Sequence, residues 1–496
     1  MMYLPDLEGV KSLSGEYHRV PVSKSIPLGT KSPVEVFRIL KNQSRQCFIL
    51  ESLEDPGRRG RYTFLGYDPK LEITCTGGAL GIKNGTKINL TTGDPGSYIK
   101  QIIEENKSPR LPGLPPFSGG LVGYFSYDYI KYSEGGLNLD AEDQEGFKDV
   151  DLMLFDKVIA YDHLEGRIML ISNVRTDAVE ENYRRAVTEL DHLHQLIEEG
   201  TPAEIRPLKL LSPFRSLFDQ ERYCAMVARA KEYIREGDIF QVVLSNRLEA
   251  DMEGSLFDTY RILRTSNPSP YMFYFSSDDG DRGGPFEIAG ASPETLVKLQ
   301  QGLLYTFPLA GTRPRGRTAE EDAALEKELL ADPKELAEHN MLVDLGRNDL
   351  GKISRFSSVR VEKYLSIERF SHVMHIGSTL RGEIREDKTA LDAIDAVLPA
   401  GTLSGAPKIR ACQIINELEN NKRGIYGGAI GYIAFTGDMD TCIAIRIAFK
   451  KNGKVFVRSG AGIVADSVPE KEYRECEHKM RAVIDALEQA RGGYRG

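Results

Sequence analysis

Three residues near the C-terminus, Glu472, Glu475 and Lys479, have the types and spacing to do chemistry. At about 100° per residue they fall together on the margin of one helix. Two carboxylates three residues apart, with an ammonium four residues beyond the second, can hold a hard divalent cation against an acidic substrate. The same three also fit a solvated charge cluster, because surface carboxylates are common and rarely functional. The chain around them, VRSGAGIVADSVPEKEYRECEHKM (Val457 to Met480), reads as strand, glycine turn, then helix. Gly460, Ala461 and Gly462 leave backbone amides uncovered, which suits close approach of an anion. Ser467, with Glu470 three residues on and Pro469 between, reads as a capping-box start. Tyr473, Cys476, Met480, Val483, Ile484 and Leu487 share the inward face of that helix.

The elements that must position these residues belong to a chain of 496, 41% apolar and 28% charged, long enough for two lobes or one composite fold. A formal charge of −9 without a basic block speaks against nucleic acid as a partner. No apolar run reaches the roughly 18 residues of a membrane span, and the N-terminus has no signal-peptide layout. Cys47, Cys75, Cys224, Cys412, Cys442 and Cys476 are scattered without a CxxC pair and read as buried thiols in a reducing cytoplasm.

The pattern is α+β with mostly antiparallel sheet, in an N-terminal part, 13–205, and a C-terminal part, 213–492, joined by TPAEIRPLKLLSP. From Leu13 to Asp162 short β-prone runs and turns dominate, and Asp177 to Glu199 is a long amphipathic helix stopped by Gly200. The C-terminal part opens with a helix from Asp219 to Glu236 and a buried strand, DIFQVVLSNRLEA. Helices follow over Ala319 to Leu330 and Lys334 to Leu345, with another opened by Ser404 and Pro407. GGAIGYIAF and DTCIAIRIAF then read as strands. GGLVGY (Gly119 to Tyr124) echoes GGAIGY (Gly427 to Tyr432), and both read as strands whose small residues let backbones approach.

Eight segments of the C-terminal part carry a resemblance: GASPE, LAGTRPRG, KELAEHNMLVDLGRNDLG, VMHIGS, PAGTLSGAPKIRA, RGIYGGAIGY, DTCIAIR and SGAGIVADSVPEKEYRE. In this order they resemble the chorismate-utilising enzymes, and most closely the component I family of anthranilate synthases. The resemblance implies two mostly antiparallel sheets packed together with helices outside. Chorismate is a dianion, so its site needs local positive potential in a net acidic protein. By resemblance, Mg²⁺ falls to Glu338 and Glu475, with Glu472 close by, all oxygen donors as a hard cation prefers. Arg446 and Tyr426 are the implied grips on the enolpyruvyl carboxylate, and the amides of Gly311, Thr312 and Gly460 to Gly462 complete an anion cradle with Lys479 as a further contact. Glu294 resembles the general acid that protonates the departing C4 hydroxyl, His375 a catalytic histidine near the ring, and Thr402 a hydroxyl contact. Taken singly, Arg446 also fits an ordinary strand arginine, Glu294 a turn carboxylate and His375 a core histidine.

Two positions separate the chemistries of the family. Isochorismate- and salicylate-forming members carry a lysine where this chain has Gln241, and aminodeoxychorismate synthases carry one where it has Ala310. With both absent, direct attack by ammonia, the anthranilate route, is implied; aminodeoxychorismate synthase component I is the alternative within the family. ILESLE (Ile49 to Glu54) and NPSPYMF (Asn267 to Phe273) resemble an L-tryptophan feedback site, with Ser52, Pro270, Tyr271 and Met272 matching and Glu51, Ile430 and Tyr432 nearby. No glutaminase signature is visible, so the resemblance implies a separate glutamine amidotransferase subunit, in a heterotetramer, as the ammonia source. A non-catalytic tryptophan-sensing protein would have lost its acids, whereas Glu294, Glu338, Glu472 and Glu475 remain, and a metal-dependent hydrolase needs a more open metal site.

Overall fold

A computed structural model describes residues 3–53, 60–278, 284–370 and 373–494; Glu54 of the ILESLE stretch lies outside them. Among the described residues the strands form a 14-stranded and a 12-stranded sheet, and every ladder between named strands is antiparallel. The strand period of two explains how the sheets stack. In Cys47–Glu51, Phe48 packs between the sheets while Ile49 packs beneath the outer helices; Phe456, between Val455 and Val457, divides its neighbours the same way. The inner core holds Phe48, Phe64, Phe117, Phe273 and Phe275 with Val122, Ile430 and Tyr432 of the second sheet. Outer helices Pro33–Gln43, Val179–Glu199 and Pro469–Gln489 cover the larger sheet. Pro95–Glu104, Pro333–Gly351 and Ala390–Val397 cover the smaller one. No helix among the described residues is long and apolar enough to cross a membrane.

Both sheets draw strands from either side of residues 206–212. In the larger sheet Cys47–Glu51 pairs with Tyr271–Asp278, and in the smaller Gly120–Phe125 pairs with Ala429–Ala434. The two echoing glycine runs are therefore partners, with Gly123 facing Gly431. Their φ values are 153° and 158°, and a Cβ would come within 2.0 Å of Asp151 O at Gly123 and 2.1 Å of Asp440 O at Gly431. The tolerance for close backbones inferred from composition is used here twice, face to face.

The chain crosses between the sheets at two neighbouring places. Pro285–Ser292 lies in the larger sheet and Thr295–Gln300 in the smaller; Met439–Ile443 lies in the smaller and Ile447–Lys451 in the larger. DTCIAIRIAF, expected as one strand, is thus two strands, broken at Arg446 with φ 52°. A uniformly apolar run hides such a break, because residues buried in either sheet have the same composition.

Other boundaries also shift. Pro33–Gln43 and Pro95–Glu104 are helices inside the region expected to be mostly strand; Ser32 and Glu35 form a capping box, and Asp94 caps the second. The helix expected to end at Leu345 runs to Gly351. Gly460 to Gly462 lie inside the strand Lys454–Ile463, paired with Ser245, Leu244 and Val243, and not in a turn. The Ser467 capping box does not form: Val468 is the N-cap, and the Ser467 hydroxyl accepts from the Val464 amide at 3.1 Å.

Replacing Gly431 by Ala should lower stability by about 2 kcal/mol or more, since the added methyl meets backbone that cannot move alone. Gly135, with nothing within 4 Å of its Cβ direction, is the control. Urea unfolding midpoints of the two variants check this.

Candidate active site

Glu294 sits on one crossover and Arg446 on the other, and the two links are bonded together. Ile443 N donates to Glu294 O at 3.0 Å, and Ala291 N donates to Arg446 O at 3.2 Å. Burial pushes the Glu294 carboxyl up to about 8, against the opposing pull of the Thr402 hydroxyl, Arg446 and Lys479. Thr402 Oγ1 donates to Glu294 Oε1 at 3.4 Å. Glu294 is therefore a neutral acid at pH 7 beside two cations, the state a proton donor needs. A cavity of about 40 Å³ backs onto Glu294 and Thr402 and reaches Gly346 and Asp349 of the Pro333–Gly351 helix.

His375 is positioned by a bulge. Leu309–Pro314 pairs with Val373–Glu383, but the register shifts between Ala310 and Thr312, leaving Gly311 as the extra residue, at φ 66°. The Gly311 carbonyl accepts from His375 Nδ1 at 2.8 Å, and Thr312 Oγ1 lies 3.1 Å from the same nitrogen. Burial pulls the His375 pKa down, the Gly311 bond opposes this, and Arg446 adds to it. A carbonyl can only accept, so Nδ1 carries the proton and the neutral ring keeps its lone pair on Nε2.

The cradle residues assemble on the Lys454–Ile463 strand. The space a Cβ would need at Gly460 is taken by Leu244 O at 2.8 Å and the Tyr426 hydroxyl at 3.0 Å, and at Gly462 by Gln241 Nε2 at 2.7 Å. The neighbouring ladder stops at Val457, so beyond it this strand is paired with Gln241–Glu253 along one edge. Lys479 Nζ donates to Gly460 O at 3.1 Å and forms an ion pair with Glu475 at 2.6 Å. Ala461, with no exposure, packs in the core beside Cys476.

Glu338 comes from a different helix, Pro333–Gly351, yet its field includes both Glu475 and Lys479. Burial raises its pKa, as do Glu335 and Glu475, while Lys479 and Lys334 oppose. Glu472 is likewise raised by burial, with Ser467 opposing and Glu475 adding to the rise. Glu475 thus acts on both Glu338 and Glu472, and carboxylates this close fit a hard cation between them. Among the described residues no three metal-ligating side chains form a closed set, and Mg²⁺ takes only one or two carboxylates, completing its shell with water and substrate.

Sequence reasoning missed the layer beneath. Glu419, at the end of the Lys408–Glu419 helix, is 1% exposed and accepts from Arg423, Arg458 and the Ser245 amide. Arg423 opens the RGIYGG run and Arg458 stands two residues before Gly460, so both were within reach of the motifs. Glu419 was not, since one glutamate on an amphipathic helix reads as surface.

A second cavity, of about 530 Å³, lies at the junction of the N- and C-terminal strands. It brings together all seven residues expected at an effector site: Glu51, Ser52, Pro270, Tyr271, Met272, Ile430 and Tyr432. The Ser52 hydroxyl is buried without a hydrogen-bond partner among the described residues. Glu51 is held by Arg264 at 2.7 Å and by the Tyr260 hydroxyl. The Tyr271 hydroxyl donates to Asp440 at 2.7 Å and lies 2.8 Å from Thr295 Oγ1, one residue from Glu294.

Residues 45–485 match the sequence profile of the chorismate binding enzymes. Anthranilate synthase component 1 of Acetivibrio thermocellus is 45% identical, with 99% of each chain covered. The crystal structure of anthranilate synthase component I from Streptococcus pneumoniae TIGR4 superposes with a TM-score of 0.75 at 38% identity, covering 92% of this chain and 98% of that one. The menaquinone-specific isochorismate synthase of Escherichia coli, 18% identical, shares the fold with a TM-score of 0.70 over 97% and 98% of the two chains. The chain therefore belongs to the chorismate-binding enzyme family, in its anthranilate synthase component 1 branch.

The raised Glu294 pKa has a thermodynamic sign. Between the ordinary glutamate value and about 8 the folded state holds a proton the unfolded state has lost, so stability falls as pH rises through this window and levels off above it. Glu294→Gln removes the titration. Its stability relative to wild type should rise by on the order of 1 to 3 kcal/mol between pH 5 and pH 8.5, read from denaturant unfolding at each pH.

Proposed function

We propose that the chain is the aminase subunit of an anthranilate synthase, catalysing the first committed step of tryptophan biosynthesis. Ammonia adds at C2 of chorismate as the C4 hydroxyl leaves as water, giving aminodeoxyisochorismate; loss of pyruvate then yields anthranilate. What carries the reading is that side chains from separate segments are linked through shared partners: Arg446 acts on both Glu294 and His375, and Lys479 acts on Glu294, Glu338 and Glu472.

The roles follow from the chemistry of each group. Neutral Glu294 donates a proton to the departing C4 hydroxyl, with Thr402 orienting its carboxyl. The free Nε2 of His375 takes up a ring proton as pyruvate departs. Arg446 and the Tyr426 hydroxyl hold the enolpyruvyl carboxylate, and Lys479 and the Gly460 to Gly462 and Gly311 to Thr312 backbone supply further donors. Glu338 and Glu475 are the residues that would hold Mg²⁺, with Glu472 close by, and the ion when bound would supply positive charge for the ring carboxylate. Gln241 and Ala310, where a lysine would activate water or attack C2, leave ammonia as the nucleophile.

The ammonia source is a glutamine amidotransferase subunit, in a cytoplasmic heterotetramer; the free, mostly buried cysteines suit a reducing compartment. The 530 Å³ cavity is the feedback site for L-tryptophan. Its Ser52 hydroxyl, without a partner among the described residues, and the carboxylates of Glu51 and Asp440 offer partners to an amino-acid head group, and Tyr62, Phe64 and Tyr432 offer an aromatic slot for indole. Coupling requires that tryptophan prefer one arrangement of the site over another. Tyr271, in the cavity wall, is hydrogen-bonded to Thr295, the residue that follows Glu294.

Purified protein given chorismate, Mg²⁺ and ammonium at mildly alkaline pH should form fluorescent anthranilate; no chorismate consumption would reject the reading, and a non-aromatic 4-amino product would move the chain to the aminodeoxychorismate synthases. Added tryptophan should inhibit. Ser52→Phe, which fills the cavity wall, should raise the tryptophan concentration for half-inhibition at least about tenfold with uninhibited turnover largely intact, and equal inhibition of both proteins would remove Ser52 from the site.

A further inference from the structure

Beneath the cradle, two guanidinium groups are buried on one carboxylate. Glu419 is 1% exposed, and Arg423 and Arg458 are each 2% exposed. The Glu419 carboxylate accepts from Arg458 Nη2 at 2.6 Å, from Arg423 Nε at 3.0 Å and from Ser245 N and Oγ at 2.7 and 3.0 Å. Among the described residues it is the sole carboxylate in ion-pair contact with either guanidinium. The remaining donors are satisfied by neutral acceptors: Arg423 bonds Leu403 O at 2.6 Å and Val243 O at 2.7 Å, and Arg458 bonds Ser245 Oγ and Asn421 Oδ1, both at 2.8 Å. Hydrogen bonding is complete while charge within direct ion-pair contact is not: two guanidiniums share one carboxylate, so the unit itself carries one more cation than anion. Two buried cations on one anion keep a net positive field around the unit, and an anion bound in the cradle above it would offset that field.

The same bonds reach three pieces of the site. Leu403 follows Thr402, the Arg423 guanidinium lies 5.9 Å from the Tyr426 ring, and Arg458 is two residues from Gly460. We propose that Glu419, Arg423 and Arg458 form a positioning and charge-supplying unit: it fixes Thr402, Tyr426 and Gly460 relative to one another, and its surplus positive charge favours a doubly charged substrate over a singly charged one. The unit touches no substrate, so its members are positioning residues. The inference rests on the reading of chorismate as substrate.

The test compares Arg458→Gln, which keeps hydrogen-bonding capacity but removes the charge, with Arg458→Lys, which keeps the charge but loses the fork. Steady-state kinetics at saturating ammonium and Mg²⁺ are read beside equilibrium binding of chorismate and of its singly charged monomethyl ester. For Arg458→Gln the chorismate KM should rise about tenfold or more with kcat within about threefold, ester affinity should change less than about threefold, and Arg458→Lys should recover most of the KM. An unchanged KM in folded Arg458→Gln, an ester penalty as large as that of chorismate, or a lysine variant as impaired as the glutamine one would each overturn the proposal. If Arg458→Gln does not fold, Arg458→Lys decides: near wild-type KM supports the charge role, and a raised KM in folded protein overturns it. Wild-type protein that fails to consume chorismate removes the underlying reading instead, so the two failures are distinguishable.

Discussion

Two adjacent passages of the chain between its sheets constrain everything at the site. A residue in such a passage cannot join a ladder, yet it is anchored at both ends by one: Glu294 lies between strands paired to opposite sheets, and so does Arg446. Hydrogen bonds between the links, Ile443 to Glu294 and Ala291 to Arg446, hold an acid and a cation side by side. Both sheets pack on an interior of Phe48, Phe273, Phe275 and Phe456, so neither end of either link moves without disturbing the core. Rigid scaffolding of this kind keeps reacting groups in place without reorganisation during the reaction.

Electrostatics at the site run against the composition. The chain carries a formal charge of −9, yet Arg446 and Lys479 both act on Glu294, and the buried Arg423 and Arg458 share Glu419 close by. Burial works in both directions: it neutralises Glu294, lowers the His375 pKa and makes each fixed cation count for more than it would in water. The bulge at Gly311 completes the set, since the extra residue supplies the carbonyl that fixes the histidine tautomer.

The 530 Å³ cavity occupies the other place where distant parts of the chain must meet. It lies where Cys47–Glu51 joins Tyr271–Asp278, against Ile430 to Tyr432 of the strand Ala429–Ala434. Its lining comes from strands of both sheets and from both sides of residues 206–212. The Tyr271 hydroxyl, bonded to Asp440 and adjacent to Thr295, shows how little structure separates this cavity from Glu294.

By itself the sequence determined whatever depends on neighbours within a few turns. The inward faces of Gln220–Glu236 and Pro469–Gln489, the stop at Gly200 and the antiparallel α+β class all follow from short-range periodicity and capping. Motif resemblance singled out the candidate residues, and the structure brings Lys479 within electrostatic reach of Glu294, about 185 residues earlier in the chain. Only the tertiary structure decided the break at Arg446, the strand placement of Gly460 to Gly462, the tautomer of His375 and the burial of Glu419. Each of these is set by a partner far away in sequence: which sheet a strand joins, which carbonyl meets a ring nitrogen and which guanidinium covers a carboxylate. Local pattern has no access to these, because a buried apolar run looks the same in either sheet and a glutamate looks the same until two arginines close over it.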